Sequence, residues 1–269
     1  MSEPVRDYGA LVRRVRESCR MPTARLERIG QFDAQGSVYE LYEVLIGRSQ
    51  EDKPSVMIDA GIHGDEPAGV EAAVRFVERA SGDAELHSRF SFAVFFCNNP
   101  TGWERNTREN WIGVDLNRRF ATSDPEPEVR IISEALRGRC FDLVFEMHED
   151  VDSPGFYLYE ISENRGEHAG EEIVRAMEAR GVPINRSSEI EGRVAEGGVI
   201  RAGVRVKRFR RTRLPLAIFA YRACGGHVIT LEPPASVLPF EDRVQIELIG
   251  LDIALKKTAE SFERRKHAA

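Results

Sequence analysis

Nowhere in this 269-residue sequence do apolar residues run for the ~18 positions that a membrane-spanning helix requires. The amino terminus, Met1 to Asp7, has no basic stretch followed by an apolar one, so no export signal is read and a cytoplasmic protein is expected. Cysteine is scarce: Cys19, Cys97, Cys140 and Cys224 stand far apart without a Cys-x-x-Cys pair. That pattern argues against a disulfide framework or a thiolate metal site and fits free thiols in a reducing compartment. An excess of positive charge is also missing. The net charge of −6 and pI near 5.7 argue against general binding to nucleic acid or to a membrane surface. There is no internal repeat and no low-complexity linker. With 42% hydrophobic residues, residues 1–269 are expected to fold as one large domain around a substantial core.

What the chain does have centres on Gly61-Ile62-His63-Gly64-Asp65-Glu66-Pro67-Ala68-Gly69. An apolar run, Val56 to Ala60, precedes it with the composition of a buried strand. Val70 to Val77 follows with apolar residues at helical spacing, so the glycines fall where a strand turns into a helix. His63 and Glu66 are close enough across that turn for an imidazole and a carboxylate to meet at one cation, a candidate half-site for zinc. A catalytic zinc site needs a third protein ligand, an open position for water and a separate general base.

The remaining elements are read in order. Residues 1–28 are expected as an amphipathic helical appendage carrying Leu11, Val12 and Val15. Strands are expected at Ser37–Ile46 and Pro54–Ala60, with a turn over Gly47–Lys53, and at Phe90–Phe96. A polar loop from Asn98 to Phe120 then leaves the end of a central strand, where ligands of α/β sheets bind. A helix over 126–138 leads to a strand at Phe141–Met147 that delivers His148. A strand at Gly155–Glu160, a helix at Gly170–Arg180, a basic irregular section at Arg193–Arg213 and a short helix at Ala217–Cys224 follow. The strand His227–Leu231 carries Glu232 to its end, and a last helix spans Phe240–Phe262 before a frayed tail at 264–269. Strands alternating with helices predict a three-layer α/β/α fold with a mixed, mostly parallel central sheet. In such a sheet His63 with Glu66, His148 and Glu232 converge at one edge.

In this order and spacing, Gly61-Ile62-His63-Gly64-Asp65-Glu66, the Asn99-Pro100-Thr101-Gly102 loop with Arg108, Gly113 to Arg118, His148 after an apolar strand and Thr230-Leu231-Glu232-Pro233-Pro234 resemble the zinc carboxypeptidase family. That family is distantly related to the succinylglutamate desuccinylase and aspartoacylase branch. The resemblance spans about residues 54–234. It implies a metallocarboxypeptidase or peptide amidase with one zinc ion per chain, held by His63, Glu66 and His148. Glu232 is implied as the general base and Asp115 as the carboxylate that steadies the first zinc histidine. Arg108 is implied as the group that polarises the scissile carbonyl, and Asn117 with Arg118 as the pair that holds a substrate carboxylate.

The chain also departs from the pattern. Arg119 stands where many relatives have asparagine, which would alter the rim of the anion site. The family's mobile tyrosine has no clear match among Tyr157, Tyr159 and Tyr221. Glu149 and Asp150 read more readily as a solvated loop than as receptors for a substrate amine. Residues 201–213 carry seven positive charges in thirteen positions, offered here as a selector of acidic substrates. Two other readings compete with a carboxypeptidase acting on small peptides. One is an N-acyl amino acid deacylase, disfavoured because relatives in that branch usually carry a further β-rich domain whereas residues 233–269 are all that follow Glu232. The other is a non-catalytic protein that binds nucleic acid through 201–213.

Overall fold

The computed structural model describes residues 6–47, 52–162, 164–201 and 212–268. Their strands are β1 (Ala24–Ala34), β2 (Ser37–Ile46), β3 (Ser55–Ala60), β4 (Ser91–Phe95), β5 (Leu143–Met147), β6 (Tyr157–Ile161), β7 (Glu189–Ile190), β8 (Arg193–Glu196), β9 (Val199–Arg201) and β10 (His227–Glu232). The helices are α1 (Tyr8–Ser18), α2 (Pro67–Ala80), α3 (Ala84–Arg89), α4 (Pro100–Arg105), α5 (Pro127–Ala135), α6 (Gly170–Glu178), α7 (Leu216–Cys224) and α8 (Phe240–Ala268), with a 3-10 turn at Leu116–Arg118.

The strands form one mixed sheet in the order β1-β2-β4-β3-β5-β10-β6-β9-β8-β7, in which β4, β3, β5 and β10 run parallel at the centre. Each central strand is apolar on both sides, and alternation sends its residues into two cores. Val56, Ile58, Phe145, Met147, Ile229 and Leu231 face one layer, with buried residues of α1, α2, α6 and α8. Met57, Phe95, Val144 and Val228 face the other, with α5 and α7. This is the expected three-layer α/β/α fold.

Two features place the site. The chain leaves β3 for β4 on one side and returns at β5 on the other, so the loops after β3 and β5 part at a topological switch point, where a crevice opens beyond the carboxyl ends. The loop after β10 emerges beside them. An open cleft of about 620 Å³ lies at the opposite edge, lined by Asp142, Tyr221, Arg222 and Gly226 among others.

The amino-terminal expectation is corrected. Helix α1 ends at Ser18, and Ala24–Ala34 is an eleven-residue strand in a hairpin with β2. Its register shifts between Arg28 and Gly30, a bulge that interrupts the strict alternation of a strand. At the other end, α8 continues to Ala268. In place of a frayed tail, Arg265 pairs with Glu167 at 2.6 Å and Asp142 at 2.5 Å. The section expected to be irregular from Arg193 opens with β8 and β9, joined by a tight turn in which Gly197 and Gly198 have positive φ, and β7 precedes it across a turn with positive φ at Glu191 and Gly192. Residues 202–211 of the basic segment lie outside the described residues. Arg201 is bound to Glu160 and Glu171 at 2.7 and 2.6 Å.

Candidate metal centre

The glycines of the first motif are required by close approach. A Cβ at Gly64 would collide with the backbone of Gly102 and Trp103, and one at Gly69 would meet the carbonyl of Met147. The loop after β3 is therefore pressed onto the start of α4, and α2 onto the end of β5, one residue before His148. These contacts bring Glu66 to His148 across 82 positions of sequence.

His63 Nδ1 lies 2.6 Å from Glu66 Oε1, and His148 Nδ1 lies 2.7 Å from Glu66 Oε2. One ligand atom from each of these three buried residues falls within 4.8 Å of the other two. Burial alone would raise Glu66, but the two imidazoles outweigh it and hold the carboxyl at about 2. Burial would lower His148; Glu66, with Glu232 and Glu146 behind it, instead pushes it up to about 10. A carboxylate that retains its charge in a buried place needs positive charge beside it, and a divalent ion at the same point would displace the imidazole protons. Two imidazoles and a carboxylate are also a donor set that leaves a coordination position open for water. Asp115 Oδ1 stands 3.3 Å from His63 Nε2, a nitrogen that makes no hydrogen bond among the described residues. Burial of Asp115 is offset by His63, Arg108 and Arg118, which bring it down to about 2. Asp115 is thus placed to steady the ring's orientation.

Arg108 reaches the same group, with Nη1 3.5 Å from Glu66 Oε1 and Nε 3.3 Å from Asp115 Oδ2. Glu232 is half-buried at the end of β10, beside β5 with Leu231 opposite Met147. Burial first, then Glu66 and Asp150, push its carboxyl up to about 8 against the pull of His148 and Arg108. The remaining expected residues divide. Asn117 is buried, and its Oδ1 accepts the Leu216 N–H at 2.7 Å, anchoring the start of α7. Arg118 is exposed on the rim, with Nη1 2.9 Å from the Asn117 carbonyl. Arg119 Nε lies 2.8 Å from Glu126 Oε2, so the arginine at this position makes an ion pair with Glu126.

Several groups were left unassigned, misread or passed over by the sequence reading. Tyr157 lies opposite Glu232 across the β6–β10 pair and donates to Asp150 at 2.8 Å, whereas Tyr221 lines the cleft at the far edge. Asp59 and Glu146 are register neighbours on β3 and β5, receiving hydrogen bonds from Asn98 and Thr230 respectively, and burial raises both. Glu247 of α8 is fully buried, and neither of its oxygens is hydrogen-bonded among the described residues. Glu149 is no solvated loop residue: it is buried and paired with Arg243. A strand end one or two positions from a ligand was the available signal for Glu146 and Glu149. Glu247 sits within a charged helix and gave none.

A pH dependence follows. Between its ordinary value of 4.5 and about 8, Glu232 holds a proton in the folded protein that it loses when unfolded. His148 does the same between 6.5 and about 10. The folded state binds more protons across both windows, so the stability of chelator-treated protein falls as pH rises from about 4.5 to 10. Glu66 acts oppositely: its contribution is complete above 4.5 and is lost as pH falls toward about 2. Melting temperatures in EDTA across this range check the slope, and a flat or rising profile from pH 6.5 to 10 would refute it.

The fold and the three-residue group define a class, an α/β protein with a buried metal-competent centre at a sheet switch point. Residues 52–232 match the model of the succinylglutamate desuccinylase/aspartoacylase catalytic domain, and the chain belongs to that family, a family of hydrolases. No curated protein matches. Among solved structures, a Shewanella baltica protein named as a candidate metallopeptidase superposes with TM-score 0.78 at 21% identity, covering 93% of this chain and 92% of that one. The metallo-carboxypeptidase of Burkholderia cenocepacia gives 0.66 at 20%, covering 93% and 68%. Carboxypeptidase A of Helicoverpa armigera gives 0.66 at 15%, covering 95% and 74%. These likenesses bear out the carboxypeptidase-like fold. The family match falls on the branch that the sequence reading set second. Among the described residues no helix is long and apolar enough to cross a membrane.

Proposed function

We propose that the protein is a zinc-dependent cytoplasmic hydrolase that cleaves an amide bond in a small carboxylate-bearing substrate, the C-terminal bond of a short peptide or a peptide amide. The observation that carries this reading is the convergence of His63, Glu66 and His148 on one point beside Glu232. His63, Glu66 and His148 would hold a zinc ion, which would supply Lewis acidity and lower the pKa of the attacking water toward ~7. Glu232 takes a proton from the attacking water as its oxygen bonds to the carbonyl carbon. The same carboxyl returns that proton to the nitrogen as the C–N bond breaks. The Arg108 guanidinium, already beside Glu66, faces the charge that develops on the carbonyl oxygen. Arg118 on the rim offers its planar fork to the substrate carboxylate, next to the buried Asn117.

A second reading is favoured by the family match over residues 52–232: deacylation of an N-acyl amino acid by the same groups. Both substrates present an amide near a carboxylate, so the centre does not separate them. Zinc content by elemental analysis, activity lost on chelation, and turnover of short peptides, peptide amides and N-acyl amino acids test the two together. Arg118→Ala is expected to raise KM about 10- to 100-fold, the loss of a charge-assisted bidentate contact, with kcat nearly unchanged. Unchanged KM on carboxylate-bearing substrates would remove Arg118 from the site.

A further inference from the structure

The residue after His148 points away from the metal-competent group and is more deeply buried than its neighbours in sequence suggest. Glu149 has a side chain only 1% exposed, and both of its oxygens are engaged. Oε2 accepts the backbone N–H of Ala68 at 2.7 Å, in the first turn of α2. That helix begins immediately after Glu66, which occupies the N-cap position but makes no capping hydrogen bond, because its carboxylate is turned to His63 and His148. Glu149 supplies the missing cap from another strand, at the end of the helix where the macrodipole favours negative charge. Oε1 is ion-paired with Arg243 in the first turn of α8, whose own side chain is 13% exposed. The next residue, Asp150, exchanges backbone hydrogen bonds with the loop after Glu232, from Asp150 N to Pro233 at 3.0 Å and from Ala235 N to Asp150 at 2.8 Å. Three consecutive residues therefore reach Glu66, the first turn of the helix that follows Glu66, and the loop that follows Glu232.

We propose that the buried Glu149–Arg243 pair is a positioning device that fixes Glu66 relative to His148 and so sets metal affinity. The proposal rests on the reading of His63, Glu66 and His148 as metal ligands. A ligand set works only if its atoms are held to within fractions of an ångström, and Glu66 and His148 come from different elements, the start of α2 and the end of β5. The Glu149 carboxylate ties those elements together through the Ala68 N–H, beside the close approach of Gly69 to Met147. Arg243 makes its burial tolerable and aims it, because a guanidinium holds a carboxylate in a defined orientation. Groups that orient ligands in this way typically contribute 10- to 100-fold to metal affinity.

The test measures the zinc Kd by competition with a chromophoric chelator, alongside the melting temperature of metal-free protein, for the wild type, Glu149→Ala, Glu149→Gln, Arg243→Met and Arg243→Lys. Glu149→Ala is expected to weaken zinc about 10- to 100-fold. Glu149→Gln, which keeps an acceptor for the Ala68 N–H, is expected to weaken it less. Arg243→Met should weaken zinc in the wild-type background and add little to Glu149→Gln, and Arg243→Lys should restore part of the loss. Glutamine and lysine variants remain informative if the larger truncations fail to fold. Unchanged Kd across the variants, with only the melting temperature lowered, would show the pair to be scaffold alone and overturn the proposal. A wild-type protein that binds no zinc would overturn the ligand reading itself, and the proposal with it.

Discussion

Glu232→Gln is expected to lower kcat by about 10²- to 10⁴-fold while leaving zinc binding intact. The substitution keeps the size of the side chain and its place at the end of β10 but removes the proton acceptor. Zinc affinity survives because Glu232 is not among the three converging ligands. A base is most effective when its pKa lies near the working pH, and burial beside Glu66 and Asp150 has already pushed Glu232 up to about 8. A cation in the centre favours the ionised form and lowers that value, so the acid limb of kcat/KM against pH is expected below 8 in the zinc-loaded enzyme. The limb should disappear from the residual activity of the glutamine variant. Retained turnover in Glu232→Gln, with zinc bound at one per chain, would assign proton transfer to another group.

The parts of this centre legible in sequence were those that strand alternation and strand ends dictate. Val56–Ala60 and Leu143–Met147 are short and largely apolar, so His148, directly after the second, and the turn Gly61–Glu66, directly after the first, are both delivered to the sheet edge. That is why His63, Glu66, His148 and Glu232 could be expected together. Where local pattern and tertiary structure disagree, the reading failed. The helix expected over residues 1–28 rested on Leu11, Val12 and Val15, which lie in α1, whereas Ala24 onward belongs to β1, where a register shift between Arg28 and Gly30 breaks the period of two. Asn117 illustrates a different limit. Its side chain was expected to face substrate, yet the same amide accepts the Leu216 N–H across 99 positions, a bond that no local signal encodes. Glu149 and Arg243 pair across 94 positions for the same reason, one looking like loop polarity and the other like an exposed helical arginine.

His148→Ala tests the centre from the opposite side, because it removes a ligand and at the same time strands a buried charge. Zinc binding at one per chain is expected to be lost, and activity with it, since the remaining His63 and Glu66 offer only two ligands of the three that an open catalytic site requires. Stability should also fall without any metal present. Glu66 is 5% exposed and keeps its charge because two imidazoles and Arg108 surround it. Removing one partner of a buried ion pair costs about 3–5 kcal/mol, and the lower figure applies here because His63 remains 2.6 Å away. Urea unfolding in the presence of EDTA measures that loss directly. The pH profile offers an independent check: the variant lacks the group that holds its proton up to about 10, so its stability should decline less between pH 6.5 and 10 than that of the wild type. A companion change, His148→Ala with Glu66→Gln, removes the stranded charge and should recover part of the stability without recovering zinc. Such a split would mean that the imidazole both balances Glu66 in the folded chain and gives up that role to a metal ion. A His148→Ala protein that binds zinc with wild-type affinity would instead place the ion elsewhere.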